Sequence, residues 1–381
     1  MTIPSLFHRR YAQKTAHEKT SLSAMTLRRF RKDKLAMVSV TVIVLFTVVA
    51  ILGYLITPDH TPCCNQQYLE LATQKPLSKA TFLCVKNPTT VDNAAITADT
   101  VGLFRKMFFG EPLPYTAIPI HSHRAVGDSI EIETYTGSVP NDGELQRYAK
   151  SEVVKIETRT FVLGTDGYGR DVLSQIMIGS RVSLSVGFIA IAIALIIGIT
   201  LGALAAYYGG WVDNLIMWFI NVVWSIPTVL LVIAITFALG KGFWQVFIAV
   251  GLTMWVDIAR VVRGQVYSIK EKEYVEAARA LGLGTFRTIF RHILPNITGA
   301  VVVVTASNFA SAILLEAGLS FLGIGVQPPM PSWGTMVKEN YSYILLDSAY
   351  LALLPGLAIM LLVLAFMLLG NGIRDALDIK R

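Results

Sequence analysis

Few side chains in this sequence are of types that could do chemistry, and they are scattered. His60 stands near Cys63 and Cys64, and His121 and His123 flank Ser122. Imidazole and thiolate are zinc ligands by type, but neither group has the spacing of a standard zinc site. A disulfide or inert surface residues fit them better. The chain has three cysteines, Cys63, Cys64 and Cys84; in an oxidising compartment one of the first two could pair with Cys84, leaving a free thiol. Gly164-Thr165-Asp166-Gly167-Tyr168-Gly169-Arg170-Asp171 has the glycines of a phosphate-cradling loop but not its Gly-Lys-Ser/Thr ending. A turn capping a helix over about 171–179, lying at an interface, is the better physical reading. Gly240-Lys241-Gly242 has a lysine without the spacing, and His292 is a lone imidazole suited to a helix surface. Asp257 and Arg260, three apart, suit a local ion pair, and Glu316 is a charge at the edge of an apolar run. No nucleophile–base set and no ATP-hydrolysing motif emerge, so energy for any work must come from a partner.

The elements that carry these residues are set by composition. Of 381 residues, 53% are hydrophobic and 15% charged, with mean hydropathy +0.54. Soluble domains average about 25% charged residues. The deficit, with apolar runs near 20 residues long, predicts a polytopic membrane protein. Six runs are expected, over about 35–56, 182–207, 215–239, 243–262, 297–318 and 350–370. The net charge of +7 reads as topological bias rather than nucleic-acid binding. Basic residues from Arg9 to Lys34 precede the first run, which is too long for a signal-peptide core and has no cleavage site. The loop from Arg263 to Arg291 and the tail with Arg374, Lys380 and Arg381 are also basic, whereas the loop at Lys241 carries one positive charge. An even span count and these charges place both termini and the 263–296 loop in the cytoplasm.

Small residues in the second run, among them Gly198 and Gly202, allow close helix packing. Pro227 frees a carbonyl in the third run and predicts a kink, either from packing geometry or as a bend lining a pathway. Residues 58–160 are polar and proline-rich, and 129–136 and 153–161 alternate as strands do. They predict a small external insertion, mostly β or irregular.

The polar stretch Glu276-Ala277-Ala278-Arg279-Ala280-Leu281-Gly282, continued to His292-Ile293-Leu294-Pro295-Asn296, lies between two apolar runs. Small residues there make a compact helical knob that another surface can approach. Gly282 and Gly284 can end the first helix in a left-handed cap, Thr285 can cap a second, and Pro295 stops that helix or starts the next. This stretch resembles the Glu-Ala-Ala loop of permease subunits in binding-protein-dependent ABC importers, where the loop is the coupling helix docking on an ATPase. The 164–171 stretch is similar to the Gly-Thr-Asp-x-x-Gly-Arg-Asp segment of C-type permeases in the peptide/nickel branch. So are Glu316 to Pro329 with Pro331-Ser332-Trp333-Gly334, and the tail Gly370-Asn371-Gly372-Ile373-Arg374-Asp375-Ala376-Leu377-Asp378, in which Ile379 replaces the usual proline. Leu27 to Ala36 matches the basic lead-in to the first helix.

The resemblance covers about 27–57 and 161–381 and implies an all-α polytopic fold. Its parts are a cytoplasmic segment 1–34, a first helix 35–57, an external insertion 58–160, and a permease core 161–381 with helices 2–6 and the coupling loop 263–296. It implies ATPase contacts at Glu276, Ala277, Ala278, Arg279 and Gly282, and loop structure from Gly284, Leu294 and Pro295. The external family motifs fall on Gly164, Thr165, Asp166, Gly169, Arg170, Asp171, Pro328 and Trp333, with Trp333 as an interfacial anchor beside a sharply shaped re-entry. The implied partners are a second homologous permease, two ABC ATPases and an external substrate-binding protein, with lipid around the spans and a peptide-like solute within. No cofactor and no nucleic acid are implied, ATP being used by the partners. The insertion is longer than the family's pattern. A self-sufficient ion-driven transporter would call for paired mid-membrane acids or inverted repeats, and a membrane enzyme for a His, Asp or Cys cluster; neither pattern is present.

Overall fold

The computed structural model describes residues 22–86, 102–137, 139–140, 142–240 and 242–377. The basic residues from Arg9 to Lys19, Pro88, Lys241 and the tail from Asp378 lie outside them. Helices α1 (Leu22–Lys32) and α2 (Lys34–Leu52) meet at Asp33. Its carboxylate accepts the N–H groups of Leu35 at 2.9 Å and Ala36 at 3.2 Å, so one capping residue separates the basic lead-in from the apolar helix.

Helix α4 (Val172–Tyr208) has 37 residues, about 55 Å at the usual rise against a hydrocarbon layer of about 30 Å. The short interfacial helix expected near 171–179 is therefore the first part of α4, with no break before the span. Gly179 does not interrupt it; a Cβ there would lie 2.8 Å from the Trp333 ring, so this glycine makes room for an indole.

The third apolar run is broken rather than kinked. Helices α5 (Gly210–Ser225) and α6 (Thr228–Leu239) meet at 94°. Proline disfavours a helical conformation in the residue before it, and Ile226 is extended at φ −90°, ψ 129°.

Helix α7 (Phe243–Ile269) is followed by α8 (Glu273–Ala280) and α9 (Thr285–Phe321). Pro295 stands in the first turn of the α-helical stretch Leu294–Phe321, as expected of a proline that starts a helix, and this stretch continues α9 without a gap. A π-turn over Ile289–Ile293 precedes it, widening the helix where the proline lacks its N–H and its ring would press on the preceding turn. Helices α10 (Trp333–Asn340) and α11 (Tyr350–Leu377) follow. Among the described residues five helices, α2, α4, α7, α9 and α11, are each long and apolar enough to cross a membrane, and the bent pair makes a sixth if counted as one span.

Helices α4 and α7 form the core and pack along their lengths. Gly198 and Gly202, one turn apart, admit the α7 backbone: a Cβ would lie 2.8 Å from the Trp255 carbonyl oxygen and 2.5 Å from that of Ala259. Helices α2, α4, α9 and α11 share a second cluster, in which Phe309 stacks on Phe366 at 3.9 Å between centroids. Helix α2 keeps Val44, Leu45, Val48 and Ile51 exposed, as a helix at a lipid boundary does.

The insertion is a five-stranded antiparallel sheet in the order β4-β3-β2-β1-β5, from β1 (Ser78–Lys86), β2 (Tyr115–Val126), β3 (Ser129–Thr134), β4 (Leu145–Ala149) and β5 (Val153–Phe161). A short helix, α3 (Leu103–Phe109), lies between β1 and β2. Ala80, Phe82 and Cys84 on one face of β1 pack with Tyr68 and Phe161, whereas Leu83 on the other face joins Ile120 and Ile132. The alternation read at 129–136 and 153–161 thus belongs to β3 and β5.

The three cysteines are free, so the pairing left open in the sequence, of Cys63 or Cys64 with Cys84, is not formed. Cys84 is inside the sheet, while Cys64 packs against Tyr54 and Ile178 of the helical core. Burial, then the nearby Asp59 carboxylate, push the Cys64 thiol well above its usual range. The His60 Nδ1 is 2.6 Å from the Tyr54 carbonyl oxygen, and His121 stacks on Tyr135.

A substitution pair tests the close packing of α4 on α7. Gly264 on α7 has open space around it, so Gly264→Ala should leave the detergent melting temperature unchanged or raise it, because alanine favours helix by about 1 kcal/mol. Gly202→Ala should lower it.

Candidate functional site

At the N-terminal end of α4 the 164–171 loop is a clasp. The Asp166 carboxylate accepts the backbone N–H groups of Tyr168 and Arg170, each at 2.9 Å, and the Arg170 Nε at 2.6 Å. The Arg170 guanidinium also reaches Glu339 of α10 at 2.5 Å and Asn65 at 3.3 Å. Thr165 is fully buried; its hydroxyl donates to the Leu71 carbonyl and accepts from the Gln74 N–H. Gly169 has φ +74°, and a Cβ there would fall 1.8 Å from the Tyr68 carbonyl oxygen. Only glycine fits this approach. Gly164 is similarly pressed, 2.2 Å from the Gln74 carbonyl oxygen. Asp171 caps α4 through Ser174, and burial raises its carboxyl above the usual range. One anion, one cation and a second anion thus join the chain before the sheet, the start of α4, and α10.

Trp333 is part of this clasp and not an interfacial anchor. It is fully buried, donates its indole N–H to the Ile176 carbonyl at 2.9 Å, and meets Phe46 edge-on. An indole with a protein partner for its N–H gains nothing from the headgroup region. Pro328 is exposed in the irregular 322–332 loop before α10. Glu316, expected at an interface, is fully buried; it accepts hydroxyls from Ser320 at 2.7 Å and from Ser183 of α4 at 3.4 Å.

At the other end of α4 stands α8. Val275 and Ala278 face the core, and Glu276, Ala277, Arg279 and Ala280 face out. The helix ends in a double turn closed by the Leu283 N–H to the Ala278 carbonyl at 3.1 Å and the Gly282 N–H to the Arg279 carbonyl at 2.9 Å. This Schellman motif needs a left-handed residue, and Gly282 supplies it at φ +76°. Gly284 does not share the role expected for it: at φ −62°, ψ 152° it is extended and caps α9. Thr285 is the first residue of α9 rather than its cap. Leu281 and Phe286 stand out with 82% and 74% of their surfaces exposed, giving the knob an apolar tip. Leu294 packs partly on the core, and Pro295 is exposed.

Basic groups fasten this end. The Lys270 ammonium donates to the Ala206 carbonyl at 2.8 Å, at the C-terminus of α4, where the helix dipole favours a cation. Arg263 binds Asp213 of α5 through two bonds of 2.6 Å. Arg279 lies over the Tyr207 ring at 4.7 Å. Asp257 and Arg260 make no direct salt bridge, though their charges interact; the Arg260 guanidinium lies over Trp224 at 4.1 Å. Nothing in the local sequence marks Asp213 or Glu339. Their charge was visible, but their partners are 50 and 169 residues away.

A family model described as the binding-protein-dependent transport system inner membrane component matches residues 198–380, and one described as the N-terminal TM domain of oligopeptide transport permease C matches 21–76. The glutathione transport system permease protein of Pectobacterium atrosepticum is 44% identical over 218 residues, 57% of this chain and 72% of that one. The chain belongs to the permeases of peptide ABC importers. The dipeptide transport system permease protein of Alkalihalophilus pseudofirmus is 44% identical to this permease over 217 residues, 57% of this chain and 71% of that one. A solved structure of a methionine ABC transporter in inward-facing conformations aligns over 53% of this permease and 96% of that chain, at 18% identity and TM-score 0.44. Residues 77–197, which include the sheet, lie outside both family matches. As a member of this family, the permease is a multi-pass inner-membrane protein.

Removing the Arg170 guanidinium leaves two carboxylates without their shared cation. Arg170→Ala should cost about 3 kcal/mol, seen as a lower melting temperature of the purified chain. Arg170→Lys should recover only part of this, because an ammonium cannot span both acids as a planar fork does.

Proposed function

We propose that this permease forms, with a second homologous permease, the membrane pathway of an ABC importer for oligopeptides or dipeptides. Two ATPase subunits drive it, and an external substrate-binding protein delivers the solute. With the bent α5/α6 pair counted as one span the described residues offer six, and the positive charges of the 263–296 loop and both ends support a cytoplasmic position for these. Residues 1–34 are then cytoplasmic, 35–57 the first span, 58–160 external, and 161–381 the transport core.

The observation that carries this reading is the α8 knob. It is a helix of eight residues, exposed on one side, tipped by Leu281 and closed by a fixed turn at Gly282. It is a rigid contact for an ATPase cleft. Glu276, Ala277 and Arg279 would meet that cleft, and the small Ala277 would let the two backbones approach. Ala278, facing inward with Val275, would pass the movement to α9 through Ile289 and Ile293. ATP-driven closure of the ATPases then becomes rotation of the spans. Loaded binding protein and ATP shift the equilibrium outward because both favour the outward-open state. ATP hydrolysis is assigned to the partners, and the names of the relatives support a peptide solute.

Two glycines separate coupling from assembly. A β-branched residue at Gly282 is strained by the left-handed backbone, whereas Gly284 has a backbone any residue adopts. Gly282→Val in the purified complex should abolish most peptide uptake and the stimulation of ATPase activity by loaded binding protein, with both permeases still present. Gly284→Ala should retain both within about twofold. Normal uptake by an assembled Gly282→Val complex contradicts the proposal.

A further inference from the structure

The break between α5 and α6 leaves a cavity of about 590 Å³ against α7 and α9. That is within the usual range for small-molecule sites. Its walls are mostly apolar, with Trp224 and Ile226 from the break, Met254 from α7 and Leu315 from α9. Of three hydroxyls in the lining, those of Thr228, Thr253 and Ser311, two are engaged by their own helices: Thr253 donates to the Val250 carbonyl at 2.8 Å, and Ser311 to that of Ser307 at 3.2 Å. Asp257 is the one charged residue in the lining. Among the described residues it has no hydrogen-bond or salt-bridge partner. Arg260, one turn further along α7, lies over Trp224 at 4.1 Å behind the lining, and its charge acts on Asp257 without a hydrogen bond between them.

Asp257 is exposed at this mostly apolar cavity, where Arg260 is its one charged neighbour among the described residues, so a second cation entering the cavity would gain from it. We propose that the cavity holds the cationic end of the transported solute: an ammonium group against Asp257, with an apolar body against Trp224, Met254 and Leu315. The solute's identity rests on the importer reading above, whereas the charge selectivity of the cavity does not. The bend at Pro227 thus creates a space between two short helices where an unbroken span would have filled it.

The test uses the assembled complex in proteoliposomes carrying Ser311→Cys in the cavity wall. It compares the modification rates by a cationic and an anionic methanethiosulfonate of similar size, with the reaction of the parent complex subtracted. The cationic reagent should react about tenfold faster, as expected for a unit charge nearby in a poorly screened site. Asp257→Asn should bring the ratio to within about twofold of unity, and Asp257→Glu should restore it. A ratio unchanged by Asp257→Asn overturns the proposal, as does a cysteine inert to both reagents in every nucleotide state. Loss of the second permease from a folded Asp257→Asn chain also overturns it, because the carboxylate would then serve subunit contact. Uptake of lysyl-alanine that slows at least fivefold in Asp257→Asn, with ATPase stimulation intact, supports the site. Charge selectivity without uptake of any dipeptide removes the peptide reading and leaves the cation site standing.

Discussion

Inside hydrocarbon a backbone N–H or C=O has no water to bind, so every one of them must find a partner in the protein. That constraint arranges the whole molecule. It demands helices across the bilayer and allows irregular backbone only beyond their ends or around a cavity. Three irregular features follow that rule: the 164–171 clasp precedes α4, the Gly282 turn follows α8, and the α5/α6 break lines a cavity. Even Pro295, which removes a donor, is absorbed by a π-turn without ending α9.

The two ends of α4 are fastened in different ways, and the difference suits transport. At the sheet end, a buried ionic network, a buried indole and backbone bonds such as Thr73 N–H to Asp166 C=O at 2.9 Å make a stiff junction. At the α8 end the fastenings are half-exposed, and the knob itself is mostly free. A helix of 37 residues is thus held firmly at one end and loosely at the other.

Hydropathy made the spans legible because a membrane helix leaves a long apolar run, and the Glu276–Gly282 pattern was legible because helix, small residues and left-handed turn are all local. What escaped were properties decided by distant partners. Trp333 reads as a membrane anchor from its type, yet Gly179, far away in sequence, opens a place for its ring. Ala277 and Ala278 look equivalent in sequence, but only helix phase places one outward and the other against the core. Pro227 announced a bend without its size, because the angle is set by what packs on either side. In the insertion, β3 and β5 alternate visibly. Strand β1 does not, since its sheet is apolar on both faces, with Phe82 on one and Leu83 on the other.

On the proposed function, α8 is where ATPase motion enters the membrane part. This is tested most directly by placing a photo-crosslinking amino acid at Ala277 in the intact membrane and identifying the adduct by mass spectrometry. The expected result is a crosslink to an ABC ATPase whose yield changes between ATP-bound and nucleotide-free states. An Ala277 adduct that contains no ATPase in either state, from a complex that copurifies with its ATPases, contradicts it.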